Sequence, residues 1–402
     1  MDLPVTGPLQ GLRILDIATV LAAPWSATLL ADLGAEVLKV EMPGRGDLLR
    51  ALAPHKGQVP LWWKVANRNK KGITLDLRKD DGRALFEQLL PRFDVLIENF
   101  RPGTLDGWGL TKERLFAIHP KLTILRVSGF GQTGPYRDKP AFARVAEAMS
   151  GFTHICGEPD GPPLHMGFPV ADAVTGLFGA VGILSALYRR ARDPDSAGQE
   201  IDVSLLESTF RMLDFLPIEY DQLGVVRHRV GNLSDYSAPS NVYRTRENAW
   251  VTIPASSQSI FERLCRALDR ADLIDDARFA ANPDRVRNRA ALDEIIAEAV
   301  AKRSVAELQQ AFDEHEVGWS PIYSIADVFA DPHVAARQGV VSVDDAELGA
   351  VQMQNVVPRF SATPGRVVAA GPALGQHNEE VFGEWLGLSP AERQRLKAAG
   401  VI

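Results

Sequence analysis

Through its first half the chain alternates short apolar, β-branched runs with segments of helical spacing, and this alternation limits the fold more than any other feature. Residues 13–18 (RILDIA) and 35–41 (AEVLKVE) read as strands on either side of a helix over 22–33. The unit recurs as a strand at 72–77, a helix at 82–90, a strand at 94–99 (DVLIEN) and another strand at 122–128 (LTILRVS). Strand, helix and strand joined by short connections dictate parallel βαβ units with right-handed crossovers, hence an α/β fold with a parallel sheet. Ligand-binding residues in such a sheet gather where strands end and loops begin. After a Gly-rich loop at 129–136, the spacing predicts a long helix from Asp172 to about Arg190, a strand at 199–203 and a helix at 204–216.

The character changes after about Gly224. Residues 243–246 and 249–253 read as a hairpin turning at Glu247-Asn248, and 261–268, 289–302 and 305–315 as amphipathic helices. Residues 1–224 are therefore expected to form the first part of a large domain and 225–330 a smaller α+β domain. Residues 331–402 are expected to return to the large one.

Composition excludes several functions. The 402 residues carry a formal net charge of -7, against the basic excess of a nucleic-acid binder. The two cysteines, Cys156 and Cys265, imply neither a disulfide framework nor a Cys-based zinc site, and a reducing, cytoplasmic setting fits. No histidine pair has metal-ligand spacing, and neither HExxH nor GxSxG occurs. The N-terminus has no basic n-region, so a secretory leader is not expected. The apolar stretch 176–188 is shorter than a bilayer requires and reads as a buried helix.

Four motifs stand out. The first βα turn, residues 19–24 (TVLAAP), lacks the GxGxxG of a dinucleotide site; Pro24 suits the first turn of a structural helix. Residues 67–72 (NRNKKG) are either a solvated basic turn or a phosphate-holding cluster. Residues 98–103 (ENFRPG) follow a strand directly, where Asn99 offers paired donors and acceptors and Phe100 a face on which a base could stack, although a plain turn fits as well. Asp172 precedes a helix rich in small residues. It is either an N-cap or an ionised carboxylate able to act as a covalent nucleophile, with Gly176 and Gly179 leaving room for a ligand.

Taken in order, these words and others resemble the class III CoA-transferases, the family of formyl-CoA transferase and carnitine CoA-transferase. The resemblance is carried by residues 30–41 (LADLGAEVLKVE), Gly46-Asp47 with Arg50, Asn69-Lys70-Lys71, Glu98 to Gly103, the loop 129–136 (GFGQTGPY), and Ala171-Asp172 with Gly176. It implies a Rossmann-like large domain with a smaller domain, in an interlocked homodimer. It also implies CoA transfer from an acyl-CoA thioester to a free carboxylic acid, with the CoA thioester as substrate and neither metal nor resident cofactor. The family's catalytic aspartate falls on Asp172, which would form a mixed anhydride and then an aspartyl-CoA thioester. Asn99, Phe100, Lys70 or Lys71, and Ala22 fall on positions that look CoA-contacting. No nucleic-acid or membrane partner is implied.

Departures from the pattern bear on substrate. Leu21 stands where the formate/oxalate branch has glutamine, and residues 236–240 (YSAPS) stand where that branch has a run of glycines, so other acids, such as short dicarboxylates or hydroxy acids, are expected. Glu147 stands where relatives often have glutamine, and either positions an acceptor or belongs to a structural network. Arg144, His165 and Arg211 are candidates to neutralise a second carboxylate. The rival reading on the same fold, an α-methylacyl-CoA racemase, needs a histidine near Phe142, and phenylalanine is no base. A non-catalytic CoA-binding protein is the other alternative.

Overall fold

The structure, a computed structural model, describes residues 7–402; residues 1–6, the start of the segment read as lacking a leader, lie outside the described residues. It divides into two compact units, one of Met1–Thr153, His165–Leu223 and Ala336–Ile402, the other of His154–Leu164 and Gly224–Ala335. The smaller unit thus takes in His154–Leu164, which sequence reading left in the first segment. Backbone bonding explains the addition: Gly231 N–H donates to Gly157 O at 2.9 Å, and the Arg229 guanidinium donates to His154 O at 3.1 Å.

In the first unit, β1 (Arg13–Asp16), β2 (Glu36–Glu41), β3 (Lys70–Thr74), β4 (Val95–Glu98), β5 (Thr123–Ser128) and β6 (Gln199–Ser204) form a parallel sheet in the order β3-β2-β1-β4-β5-β6. The order reverses between β1 and β4, where Ile14 pairs with Val37 on one side and Val95 on the other. A doubly wound sheet opens its ligand crevice at such a reversal, beyond the carboxyl ends of the strands. Successive strand residues face opposite sides. Leu15, Leu38 and Leu96 accordingly join one apolar cluster with Phe86 and Phe382, while Ile14, Val37 and Ile97 join another with Ala27 and Leu30.

The helices of this unit that bear on function are α1 (Ala22–Asp32), α2 (Asp80–Leu89), α3 (Ala143–Met149), α4 (Val170–Arg192), α5 (Leu205–Arg211) and α6 (Leu216–Leu223). The single helix expected over 204–216 is instead two, because Asp214 between them adopts φ +46°, a left-handed conformation that aspartate tolerates and a helix does not. Helix α4 also corrects an expectation. It has 23 residues and a mean hydropathy of 1.8 over its most apolar window, enough by length and composition to cross a membrane.

Helix α4 lies close against α1 because its facing residues are glycines. Ser26 Oγ donates to Gly176 O at 2.9 Å. A Cβ at Gly176 would stand 3.0 Å from Ala22 O, and one at Gly179 2.3 Å from Ser26 Oγ. The first turns of the two helices are thereby held side by side.

In the second unit, β7 (Ser240–Arg244), β8 (Trp250–Pro254) and β9 (Ser320–Pro321) form an antiparallel sheet. Its hairpin turns at Asn248, where φ is +64°. Helices α7 (Gln258–Ala267), α8 (Arg289–Ala301) and α9 (Val305–Glu314) cover a core of Phe261, Leu264, Leu292 and Phe312.

The close approach of α1 and α4 leaves no volume at Gly179, so Gly179→Val is expected to cost about 1–3 kcal/mol through overpacking and to lower the melting temperature measurably. An unchanged thermal transition would show that the helices separate without penalty.

Candidate active site

The carboxyl ends of the strands are tied together by polar bonds around the first βα turn. At the reversal, Asn99 pairs its side-chain amide with the backbone of Thr19, accepting from Thr19 N–H at 2.7 Å and donating to Thr19 O at 2.8 Å. The next residue, Val20, sits at φ +65°, a conformation that a β-branched residue rarely adopts. Both carboxylate oxygens of Asp47 accept its N–H, at 3.0 and 3.1 Å. Asp47 is itself held by Leu49 N–H and by Lys39, and its own N–H donates to Glu41. The turn entering α1 is therefore fixed from two neighbouring strands. Ala22, the first residue of α1, is buried at this point.

Beneath the turn lies a charge network with no exposure to water. Lys39 and Lys70 both reach Asp16 at the end of β1, at 3.5 and 2.9 Å. Burial alone would push the Asp16 carboxyl up, but the two ammonium groups hold it below the ordinary carboxylate range. Burial brings Lys70 down to about 8.

In this arrangement the lysine cluster has partners inside the protein. Lys70 donates to Asp16, Pro24 O and Asn67, so its three donors are all taken inside the protein. Lys71 is half-buried beside Glu380 and 3.6 Å from Glu36 at the amino end of β2. Arg68 binds Asp32 and Gln354 O, and Asn69 binds Asp32 and Arg366 O. The segment fastens the C-terminal part of the chain to the sheet. Moreover, Lys70 and Lys71 begin β3, whereas Asn99 and Phe100 follow the end of β4, and in a parallel sheet these are opposite edges. Asn99 is likewise a clamp on the turn. Phe100 is half-buried edge-on to Trp108, 5.1 Å between centroids, with its N–H donated to Glu98. Burial pushes Glu98 up to about 7. Exposed cations past the strand ends include Arg45 after β2, Arg78 after β3, which is paired with Asp76 at 2.8 Å, and Arg101 after β4. Sequence reasoning missed them; their place directly after each strand was the signal.

Asp172 is the third residue of α4, not its N-cap, which is Pro169. Among the described residues its carboxyl has no hydrogen-bond or ion-pair partner. Burial, and then the charge of Glu147, push it up to about 7. Glu147, on α3, is 2% exposed. One of its oxygens accepts Ala171 N–H at 3.2 Å and the other lies 3.0 Å from His165 Nδ1. Phe168 stands edge-on to Trp25 of α1, 5.8 Å between centroids, so an apolar wall joins the two helix starts. Of the three residues offered for a second carboxylate, the structure brings His165 into this cluster. Arg144 is exposed on α3 and Arg211 faces Asp214 at 3.9 Å. Phe142, at the racemase position, is 73% exposed. The arrangement offers an unpaired, half-buried carboxyl of raised basicity beside a rigid turn, suited to covalent catalysis on an acyl group.

Comparison with known proteins shows the family. The family model described as CoA-transferase family III matches residues 9–378. The chain is 45% identical to succinyl-CoA–D-citramalate CoA-transferase of Chloroflexus aurantiacus, over 98% of both chains. It is 36% identical to succinate–glutarate CoA-transferase of Agrobacterium fabrum, over 94% of this chain and 95% of that one. Among solved structures, a CAIB/BAIF family protein from Brucella suis superposes with a TM-score of 0.84 at 34% identity, covering 94% of this chain and 99% of that one. The orthorhombic form of Rv3272 from Mycobacterium tuberculosis gives 0.81 at 26% identity, covering 94% and 99%. With a doubly wound sheet, a carboxyl poised at the start of α4 and these relatives across its length, the chain belongs to CoA-transferase family III and is an enzyme that transfers CoA.

Proposed function

We propose that the enzyme moves CoA from a dicarboxylic acyl-CoA, of the succinyl type, to a free dicarboxylate or hydroxy acid, with Asp172 as the covalent carrier. The observation that carries this reading is the Asp172 carboxyl itself, half-buried, without a partner among the described residues and one turn before Gly176, which packs on Ala22 of α1. The substrate class is supported by the relatives named for citramalate and glutarate. A relative from Acetobacter aceti, 36% identical over 83% of this chain, is named for acetyl-CoA and oxalate, so oxalate belongs among the acids tried.

The steps balance without a net proton. An Asp172 oxygen attacks the thioester carbonyl, the C–S bond breaks, and CoA leaves as thiolate from a mixed anhydride. The thiolate attacks the aspartyl carbonyl and releases the donor acid as carboxylate, leaving an aspartyl-CoA thioester. The acceptor carboxylate displaces the thiolate to form a second anhydride. Attack of the thiolate on the acceptor carbonyl gives the new acyl-CoA and restores Asp172. Backbone N–H groups at the starts of α1 and α4 are suited to steady the tetrahedral oxyanions. Phe100 offers an apolar face at the same sheet edge, and Arg45 and Arg101 are exposed cations there, of the kind that meets the phosphates of CoA. Lys71, Lys70, Asn99 and Ala22 serve the site through the scaffold they hold.

A homodimer belongs to the same proposal. Helix α4 leaves Leu177, Val181 and Tyr188 55%, 59% and 69% exposed, and Met212 after α5 is 52% exposed. Apolar surface of this kind is covered in a soluble assembly, and a second copy of the chain is the occupant the family resemblance supplies. A cytoplasmic setting is supported by cysteines held as thiols.

Three outcomes test the covalent reading. Quenching enzyme and succinyl-CoA with hydroxylamine is expected to leave a hydroxamate on Asp172, read by peptide mass spectrometry. Asp172→Ala is expected to fold and to lose turnover by more than about 10³-fold; full activity in that variant would end the covalent proposal. Because the attacking form is the carboxylate and the group is raised, kcat/KM should climb tenfold per pH unit below about 7 and level off above it. For the dimer, sedimentation should give twice the chain mass, and a stable monomer would remove the proposed cover of α4.

A further inference from the structure

We propose that Glu147 is a positioning residue of the reaction, holding the start of α4 and the His165 ring while placing a second negative charge beside Asp172. The proposal rests on the reading of Asp172 as the nucleophile.

The geometry sets the Glu147 carboxylate between two partners. Its Oε1 takes the N–H of Ala171, the residue directly before Asp172, at 3.2 Å, and its Oε2 meets His165 Nδ1 at 3.0 Å. Thr153 Oγ1 lies 3.5 Å from the same ring nitrogen, which fixes the ring further. The Glu147 side chain is 3% exposed and that of His165 27%, so the imidazole presents its outer edge to solvent while its inner edge is held. A buried carboxylate is costly, and no lysine or arginine is paired with Glu147 among the described residues. Glutamine could occupy the same space and make the same two hydrogen bonds without that cost. What the acid adds is charge, and the group that feels it is Asp172.

The surroundings leave Glu147 as the dominant charge on Asp172. From α1, the residues that pack on Gly176 one turn further along α4 are Ala22, Trp25 and Ser26, none of them titratable. On α3, Arg144 is exposed. On α5, Glu207 is bonded to Ser204, and Arg211 is taken up by Asp214. Arg126 of β5 is shared by Glu98 and Glu200, and Asp202 of β6 accepts Gln132 N–H. Among the described residues, the ionisable side chain bonded to Glu147 is His165. The chemical consequence is a carboxylate more basic, and so more nucleophilic once ionised, than an ordinary aspartate.

The test compares the pH dependence of kcat/KM for succinyl-CoA in the wild-type enzyme, Glu147→Gln and Glu147→Asp. Glu147→Gln keeps the shape and removes the charge, so its acid limb should move down by about one pH unit. Glu147→Asp keeps the charge and loosens the hydrogen bonds, so its acid limb should stay near the wild-type position while the rate falls. A Glu147→Gln profile that drops equally at every pH would mean a purely structural acid and overturn the proposal. If Glu147→Gln does not fold, carbodiimide labelling of Asp172 against pH in Glu147→Ala and the wild-type enzyme replaces it: a half-labelling pH about one unit lower in Glu147→Ala supports the proposal, and an unchanged one overturns it. The hydroxylamine adduct separates the two failures. An adduct on wild-type Asp172 with an unshifted Glu147→Gln profile refutes the role of Glu147 alone, whereas no adduct with any donor removes the nucleophile on which it rests.

Discussion

The contact between α1 and α4 is the constraint on which the site depends. Two helices approach this closely only where side chains are absent, and Gly176 and Gly179 provide that absence opposite Ser26 and Ala22. The contact fixes more than packing. It sets the first turn of α4, which carries Asp172, against the first turn of α1, which leaves the end of β1 at the point where the sheet reverses. A nucleophile from the middle of the chain is thus delivered to the crevice of a doubly wound sheet, where ligands of such sheets bind. The loop joining β5 to α3 and the segment before α4 then bring Glu147 and His165 to the same place.

The crevice is underlain by buried charged groups that are bonded to one another. Asp16, Lys39, Lys70 and Asp47 are buried together, and each is satisfied by another or by backbone. An isolated charge in that position would cost several kcal/mol; a closed set fixes one geometry instead. What it fixes is the turn at Thr19 and Val20, including the strained φ of Val20. Strain of about 1–3 kcal/mol persists only where surrounding bonds over-determine it. Asn99 and Asp47 supply those bonds from β4 and from the loop after β2.

Much of the fold was legible because hydrophobic period and strand spacing are local properties. All six strands of the parallel sheet, the βα alternation and the hairpin of the second unit follow from such patterns. The break between α5 and α6 was not legible, since nothing in the composition around Asp214 announces a left-handed residue. The site was legible in part. Asp172 stood out through the words around it, and its neighbourhood with Glu147 and His165 arises from folding that no spacing encodes. The partners of the lysines were not legible for a physical reason: an ammonium in a basic, amide-rich turn looks solvated in one dimension, yet Lys70 is bonded to the buried carboxylate of Asp16. The partner of Asn99 was hidden in a similar way, because the donor and acceptor that suit a ligand suit a backbone turn equally well.

The central claim is that Asp172 carries the group being exchanged, and oxygen bookkeeping tests it most directly. In the route above, the acceptor's attacking oxygen remains on the aspartate when the thiolate takes the acceptor acyl group. Turnover of succinyl-CoA with an acceptor whose carboxylate is labelled with heavy oxygen should therefore place that label in the peptide containing Asp172, and from there in the released succinate. Label in succinate with none in the Asp172 peptide would mean that donor and acceptor react with each other directly, and the account of Asp172 as covalent carrier would be contradicted.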